Sequence, residues 1–200
     1  MMTLVIGLTG SIATGKSTIA QMFKDMEIPV IDADQISKDV VEPGKPAYQD
    51  IVDVFGQDIL QEDKSIDRKK LGKIIFSDET KRNQLNQIVH PRVREGMVQQ
   101  RESYKSKHVP AVVLDIPLLF ESSLTDYVEK TLVVFVDEQT QLERLMERDD
   151  SKREDAEERI NAQIPIKEKA QMADAVINNN GTVEESKKQL RDILYRWGIV

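Results

Sequence analysis

Short runs of consecutive apolar residues recur along the chain. Thr3 to Leu8, Pro29 to Asp32, Ala111 to Asp115, Thr131 to Val136 and Asp174 to Asn178 are rich in Val, Ile and Leu. They are continuously apolar rather than alternating, as strands buried on both faces are. Helical periodicities lie between them. Strands alternating with helices predict an α/β fold with a five-stranded parallel sheet, helices on both faces and right-handed crossovers. Ile19, Met22, Phe23 and Met26 form one helix face, and Leu190, Ile193, Leu194 and Trp197 another. Asp67 stands where it caps a helix carrying Leu71, Ile74 and Ile75. Ser151 with Glu154, and Thr182 with Glu185, have the spacing of capping boxes.

Two stretches are too long for single crossovers. Residues from about 35 to 108 carry several helical patterns, with breaks expected near Pro43-Gly44-Lys45-Pro46, Gly56 and His90-Pro91. This segment reads as a helical insertion over the carboxyl edge of the sheet. Residues from about 140 to 167 are charged and helical, broken at Asp149-Asp150-Ser151, and read as a mobile lid. The core is then about 1–34, 109–139 and 168–200 of one domain. The composition is 40% hydrophobic and 32% charged, ordinary for a soluble globular chain. No apolar run approaches the ~20 residues of a membrane span, and the chain enters its first strand at Thr3 without a basic leader. With no cysteine there is no disulfide or thiolate chemistry. A cytoplasmic location is the expectation. The net charge of −7 argues against general nucleic-acid binding, which needs a basic stripe. No nucleic-acid or membrane partner is therefore expected.

Between the first apolar run and the helix that follows lies Gly10-Ser11-Ile12-Ala13-Thr14-Gly15-Lys16-Ser17, the P-loop pattern in its confirming strand–loop–helix setting. Gly10 and Gly15 let the backbone curl so that N–H groups point inward as an anion nest, and the helix N-terminus adds partial positive charge. The candidate nucleotide contacts are Gly10, Ala13, Thr14, Gly15, Lys16, Ser17 and Thr18. Lys16 would reach the β- and γ-phosphates of ATP, and Ser17 would hold Mg²⁺. The guanine-reading Asn-Lys-x-Asp sequence is absent, which disfavours a GTPase switch. A kinase and a non-catalytic nucleotide-binding regulator both remain open on the P-loop alone.

Acids close two of the strand patterns, and ligands of open α/β sheets bind beyond the carboxyl ends of strands. Asp32 and Asp34 follow Val30-Ile31; Asp34 is a candidate general base or, alternatively, a helix cap. Val112-Val113-Leu114-Asp115 has the Walker B form, making Asp115 a candidate for Mg²⁺ or a structural acid at a strand end. The apolar part of Ile116-Pro117-Leu118-Leu119-Phe120-Glu121, Leu118 included, either lines a substrate pocket or belongs to the core. In the suspected lid, Arg144 and Arg148 share a helix face four residues apart. Such a pair either meets an anionic ligand or belongs to a solvated, salt-bridged face, since Glu143, Glu147, Asp149 and Asp150 are interleaved.

Taken together these motifs resemble the dephospho-coenzyme A kinase family over nearly the whole chain. The resemblance rests on Gly7-Leu8-Thr9-Gly10 with the P-loop, Asp32-Ala33-Asp34, His90-Pro91-Arg92-Val93-Arg94, Asp115 to Glu121, and Gln141 through Arg144 to Arg148-Asp149. It continues through Ala156, Arg159-Ile160, Gln163, Lys169, Ala173-Asp174 and Ile177-Asn178-Asn179-Asn180-Gly181. It implies a three-layer P-loop kinase fold with a helical acceptor-binding insertion and a helical lid. It also implies transfer of the γ-phosphoryl of ATP to the ribose 3′-hydroxyl of dephospho-coenzyme A, with Mg²⁺. The resemblance gives Asp34 as base, Lys16 as phosphate clamp and Arg144 or Arg148 as the lid arginine. His90 and Arg92, with Arg94, fall in its acceptor-side motif, and Leu118 is a candidate acceptor contact. Small-molecule substrates and a monomer are expected. Ser11 and Ala13 stand where the family's loop frequently has glycine, which implies a less flexible loop. A nucleoside or nucleoside-monophosphate kinase is the competing enzyme.

Overall fold

The computed structural model describes residues 2–200. Its sheet runs β1 (Leu4–Gly10), β2 (Val30–Asp32), β3 (Ala111–Asp115), β4 (Lys130–Phe135) and β5 (Ala175–Asn178), in the spatial order β2-β3-β1-β4-β5. β1 pairs in parallel with both β3 and β4, and β4 with β5. The five expected strands are present, with no bound shifted by more than two residues. Their continuous apolar character has the anticipated cause. Ile6, Leu8, Ala111, Val113, Leu132 and Val134 are buried on one face against α1 (Lys16–Asp25) and the C-terminal helix Val183–Arg196, and the intervening Val5, Val112 and Val133 are buried on the other. That C-terminal helix begins with the predicted Thr182–Glu185 capping box and turns Leu190, Ile193, Leu194 and Trp197 into the same core.

The chain divides into two compact units, one comprising the chain through Ile31 with Arg101–Val200, the other Asp32–Gln100. The second unit holds α2 (Ala33–Asp39), α3 (Pro46–Phe55), α4 (Arg68–Ser77) and most of α5 (Glu79–Ser106). It has its own apolar cluster of Ile51, Ile59, Ile66 and Leu71, with Leu85, Ile88 and Val89 packed on it. Asp67 caps α4 through Lys69 and Lys70 N–H, as anticipated. The break expected at His90-Pro91 is absent: α5 runs straight through Pro91. Proline there forfeits one backbone hydrogen bond. The apolar residues of the preceding turns, Leu85, Ile88 and Val89, stay anchored in the cluster and outweigh that loss.

In the first unit α6 (Glu138–Asp149), α7 (Arg153–Asn161) and α8 (Ile166–Met172) lie between β4 and β5. The capping box expected at Ser151–Glu154 does not form; α7 starts after Lys152 with no side-chain cap. The end of α6 takes the serine instead. Asp150 adopts a left-handed conformation, φ 47°, and the N–H groups of both Asp150 and Ser151 bond the Met146 carbonyl. The chain reversal gives the Met146 carbonyl two donors and leaves Ser151 out of position to cap α7.

Candidate active site

β1 ends at Gly10 in the middle of the sheet, with Leu8 in register with Asp115 of β3 and Gly10 in register with Val134 of β4. The connection from β1 leads to one side of the sheet, and the later strands β4 and β5 lie on the other. The loop after Gly10 therefore occupies a topological switch point, where open α/β sheets bind ligands.

The loop's form follows from where its carbonyls go. Lys169 Nζ donates to the Gly10 carbonyl at 2.9 Å. The Ser11 carbonyl accepts from Thr14 N–H and Oγ1. Gln141 Nε2 donates to the Ile12 carbonyl at 2.9 Å, and Asn179 Nδ2 to the Thr14 carbonyl at 2.9 Å. Ala13 (φ 63°) and Gly15 (φ 87°) take left-handed conformations, the alternation that makes a concave nest of N–H groups. The first N–H groups of α1 have no intrahelical acceptor and carry the helix's partial positive charge. Side chains thus turn the Gly10, Ile12 and Thr14 carbonyls away, and although the Ile12 and Thr14 N–H groups are bonded within the protein, the start of α1 still presents donors to a ligand. Ala13 pays the local cost of a left-handed alanine, of order 1–2 kcal/mol, which gives a physical reason for glycine being frequent there. A Cβ at Gly15 would run into the Asn179 carboxamide.

Lys16 is paired with the carboxylate of Asp115, which is 6% exposed. Ser17 and Thr18 are exposed on the first turn of α1. The structure thus brings together Gly10, Ala13, Thr14, Gly15, Lys16, Ser17, Thr18 and Asp115. Ile116, Leu119 and Phe120 are buried, so that part of the segment is core, whereas Leu118 is 42% exposed and is not.

In the second unit, Asp32 accepts hydrogen bonds from the N–H groups of Asp34 and Gln35 and is the N-cap of α2. The capping alternative for Asp34 is thereby filled by its neighbour. Asp34 sits exposed in the first turn with its carboxylate uncommitted to the cap. A groove of about 1020 Å³ lies within this unit. Val41, Leu71 and Val89 are among its apolar walls, and Lys38, Arg68 and His90 supply basic groups. Arg92 is exposed and lies 3.6 Å from Glu95 and 4.0 Å from Asp50.

The two candidate lid arginines differ. Arg148 forks onto Asp149 at 2.8 and 3.0 Å, and Arg159 bonds the same carboxylate. Those two guanidinium groups hold the Asp149 carboxyl well below the usual range. Arg144 is half-buried and has no carboxylate partner among the described residues.

Four supports of the P-loop, Gln141, Gln163, Lys169 and Asn179, were not singled out by reasoning on the residues alone. Lys169 gave one local sign: it follows Ile166 by three residues and precedes Ala170, so it falls on the apolar face of its helix.

The dephospho-CoA kinase family model matches residues 4–185. A dephospho-CoA kinase of Bacillus cereus is 59% identical over 199 residues, covering 100% of both chains. That of Oceanobacillus iheyensis is 57% identical over 198 residues, covering 99% of this chain and 100% of the relative. Among solved structures, TT1252 from Thermus thermophilus superposes with a TM-score of 0.83 at 30% identity, covering 98% of each chain. Dephospho-CoA kinase from Campylobacter jejuni does so with a TM-score of 0.75 at 29% identity, covering 96% of each.

Proposed function

The chain belongs to the dephospho-CoA kinase family of ATP-dependent kinases, and from that premise we propose how its residues carry the γ-phosphoryl of ATP to the ribose 3′-hydroxyl of dephospho-coenzyme A, giving coenzyme A and ADP. The observation that carries the reading is the P-loop with the carbonyls of Gly10, Ile12 and Thr14 tied back by side chains at the N-terminus of α1. Such a loop selects a polyphosphate. Lys16 is the cation of the site, paired with Asp115. Phosphate oxygens compete with Asp115 for its ammonium, so nucleotide entry moves that charge onto the β- and γ-phosphates.

Ser17 and Asp115 are the residues that would hold Mg²⁺. A hydroxyl and a carboxylate are hard oxygen donors, and Mg²⁺ characteristically takes only one or two protein ligands alongside waters and phosphates, so this donor set fits. When bound, the ion neutralises charge on the β- and γ-oxygens.

Asp34 takes the proton of the attacking hydroxyl. Support comes from its position two residues past the end of β2, from its exposure, and from Asp32 relieving it of the capping role. Arg144 meets the transferring phosphoryl group, as the residue of the pair not already committed to a carboxylate; Arg148 braces Asp149. The helical segment from about 35 to 108 binds the acceptor. Its groove offers apolar walls for a long organic arm and Lys38, Arg68 and His90 for an anion. His90 and Arg92 contact the acceptor in this reading, as does Leu118 through its exposed isobutyl group. The segment from about 140 to 167 acts as the lid that keeps water from the phosphoryl group.

The test is ADP release against a panel of dephospho-coenzyme A, nucleosides and nucleoside monophosphates. Turnover with dephospho-coenzyme A at least a hundredfold above every other acceptor is the expected result. Comparable turnover with a nucleoside monophosphate would sink the assignment.

A further inference from the structure

Ile12, at the tip of the P-loop, is held on both sides of its backbone by glutamines that flank one helical hairpin. Its carbonyl accepts from Gln141 Nε2 at 2.9 Å, and its N–H donates to Gln163 Oε1 at 3.1 Å. Gln141 lies in the second turn of α6 and is 1% exposed; Gln163 follows the end of α7, its own N–H bonded to the Ile160 carbonyl. The side chains of Ile12 and Ala13 pack into the cluster of Leu142, Leu145 and Ala156 that glues α6 to α7. The polarity of the two bonds is fixed by the peptide, since a backbone N–H can only donate and a carbonyl can only accept.

We propose that Gln141 and Gln163 are positioning residues for phosphoryl transfer: they clamp the Ile12 backbone, hold the P-loop in its anion-binding form, and yoke the α6–α7 hairpin to it. Neither touches nucleotide in this assignment. They act through the orientation of the loop's N–H groups and through the register of Arg144, one turn beyond Gln141. The inference rests on the reading that the P-loop binds ATP. It also narrows what the lid can do, because the hairpin is held to the loop at Gln141 and Gln163 and, between them, through Leu142, Leu145 and Ala156.

The test exploits bond polarity. Gln163→Glu keeps an acceptor for the Ile12 N–H, whereas Gln141→Glu sets a carboxylate against the Ile12 carbonyl. Gln141 is 1% exposed and Gln163 half-buried, so the Met variants, which remove each bond without adding charge, control for the different cost of placing a carboxylate at the two sites. Nucleotide affinity is measured by calorimetry with ADP, and KM for ATP and for dephospho-coenzyme A by steady-state kinetics. Gln163→Glu is expected to bind ADP at least about fivefold tighter than Gln141→Glu. Gln141→Met and Gln163→Met should each raise KM for ATP about five- to tenfold, with KM for the acceptor within about twofold of the parent. A lowered melting temperature with unchanged ADP affinity and ATP KM would reduce both residues to structural roles and overturn the proposal, as would equal affinities in the two Glu variants. Should Gln141→Glu not fold, the Met variants decide: ADP affinity within about twofold of the parent in both is the overturning result. Calorimetry keeps this test apart from the acceptor assignment. A parent chain that binds ADP but ignores dephospho-coenzyme A fails the functional reading and leaves the clamp standing.

Discussion

The ammonium of Lys169, a residue with no exposed surface, donates to the carbonyl of Gly10 and is paired 2.6 Å from Glu121. A charge buried that deeply survives only because its partners are in place. Glu121 in turn accepts from the Ile164 N–H and keeps its second oxygen buried without a partner. Lys169→Met strands both the Glu121 carboxylate and the Gly10 carbonyl. It should destabilise the protein by about 3–5 kcal/mol, read as a lower denaturant midpoint. Lys169→Met/Glu121→Met removes both charges and should recover most of that loss. A double variant no more stable than Lys169→Met would mean that the pair is not what the lysine supports.

Gly15 and Asn179 form a second such relationship. Asn179 Nδ2 bonds the Thr14 carbonyl, its Oδ1 accepts from the buried Ser186 hydroxyl, and its carboxamide fills the space where a Cβ on residue 15 would stand. Gly15→Ala therefore meets two costs, about 1–2 kcal/mol for the left-handed conformation and a clash. In an Asn179→Ala background only the first remains. A double-mutant cycle by denaturant unfolding should show a favourable coupling of about 0.5–3 kcal/mol between the two changes. Strict additivity would show that the carboxamide does not press on Gly15.

These supports also mark the limit of what local sequence conveys. The P-loop is legible because its glycines, lysine and serine lie within eight positions, and the strand and helix around it are set by local apolar patterns. The groups that tie back its backbone come from 129 to 165 residues away. No periodicity connects Ile12 to Gln141 or Thr14 to Asn179; only the fold does. The resemblance touched these positions without giving them work. Where local rules misled, a packed neighbour had won. Pro91 stays helical because the preceding turns are anchored by apolar contacts, and Ser151 is drawn into the end of α6 rather than the start of α7.

Asp32 and Asp34 should respond differently to substitution although they are two residues apart. Asp32 caps α2, so Asp32→Ala should cost about 1 kcal/mol of stability, within the usual range for a lost cap. Asp34→Asn keeps the shape but cannot take a proton. It should lower kcat by roughly 10²–10⁴ with little change in melting temperature or in KM for either substrate. If Asp34→Asn instead lowers the melting temperature at normal kcat, the base lies elsewhere.

The arginines of α6 can be separated by lysine substitution, because only a planar guanidinium can bond two phosphoryl oxygens at once. Arg144 has no carboxylate partner among the described residues, and Arg148 forks onto Asp149. Arg144→Lys should thus behave almost like Arg144→Ala, with kcat down by roughly 10² or more. Arg148→Lys keeps the charge at an exposed pair of the kind that contributes little, and its kcat should stay close to the parent's. Asp149 supplies an independent check on Arg148. With its carboxyl held low by Arg148 and Arg159, the pairing is fully present above the unfolded pKa of about 3.9 and fades only as the pH falls through the lower folded value. The Asp149 carboxyl carbon shift should accordingly stay flat by NMR while the pH is lowered through the ordinary aspartate range, and Arg148→Ala should move its titration upward. Normal turnover in Arg144→Lys together with a collapse in Arg148→Lys would reverse the two roles, placing the phosphoryl contact on the arginine that this structure shows paired. Normal turnover in both would leave this helix face as a solvated, salt-bridged surface with no part in transfer.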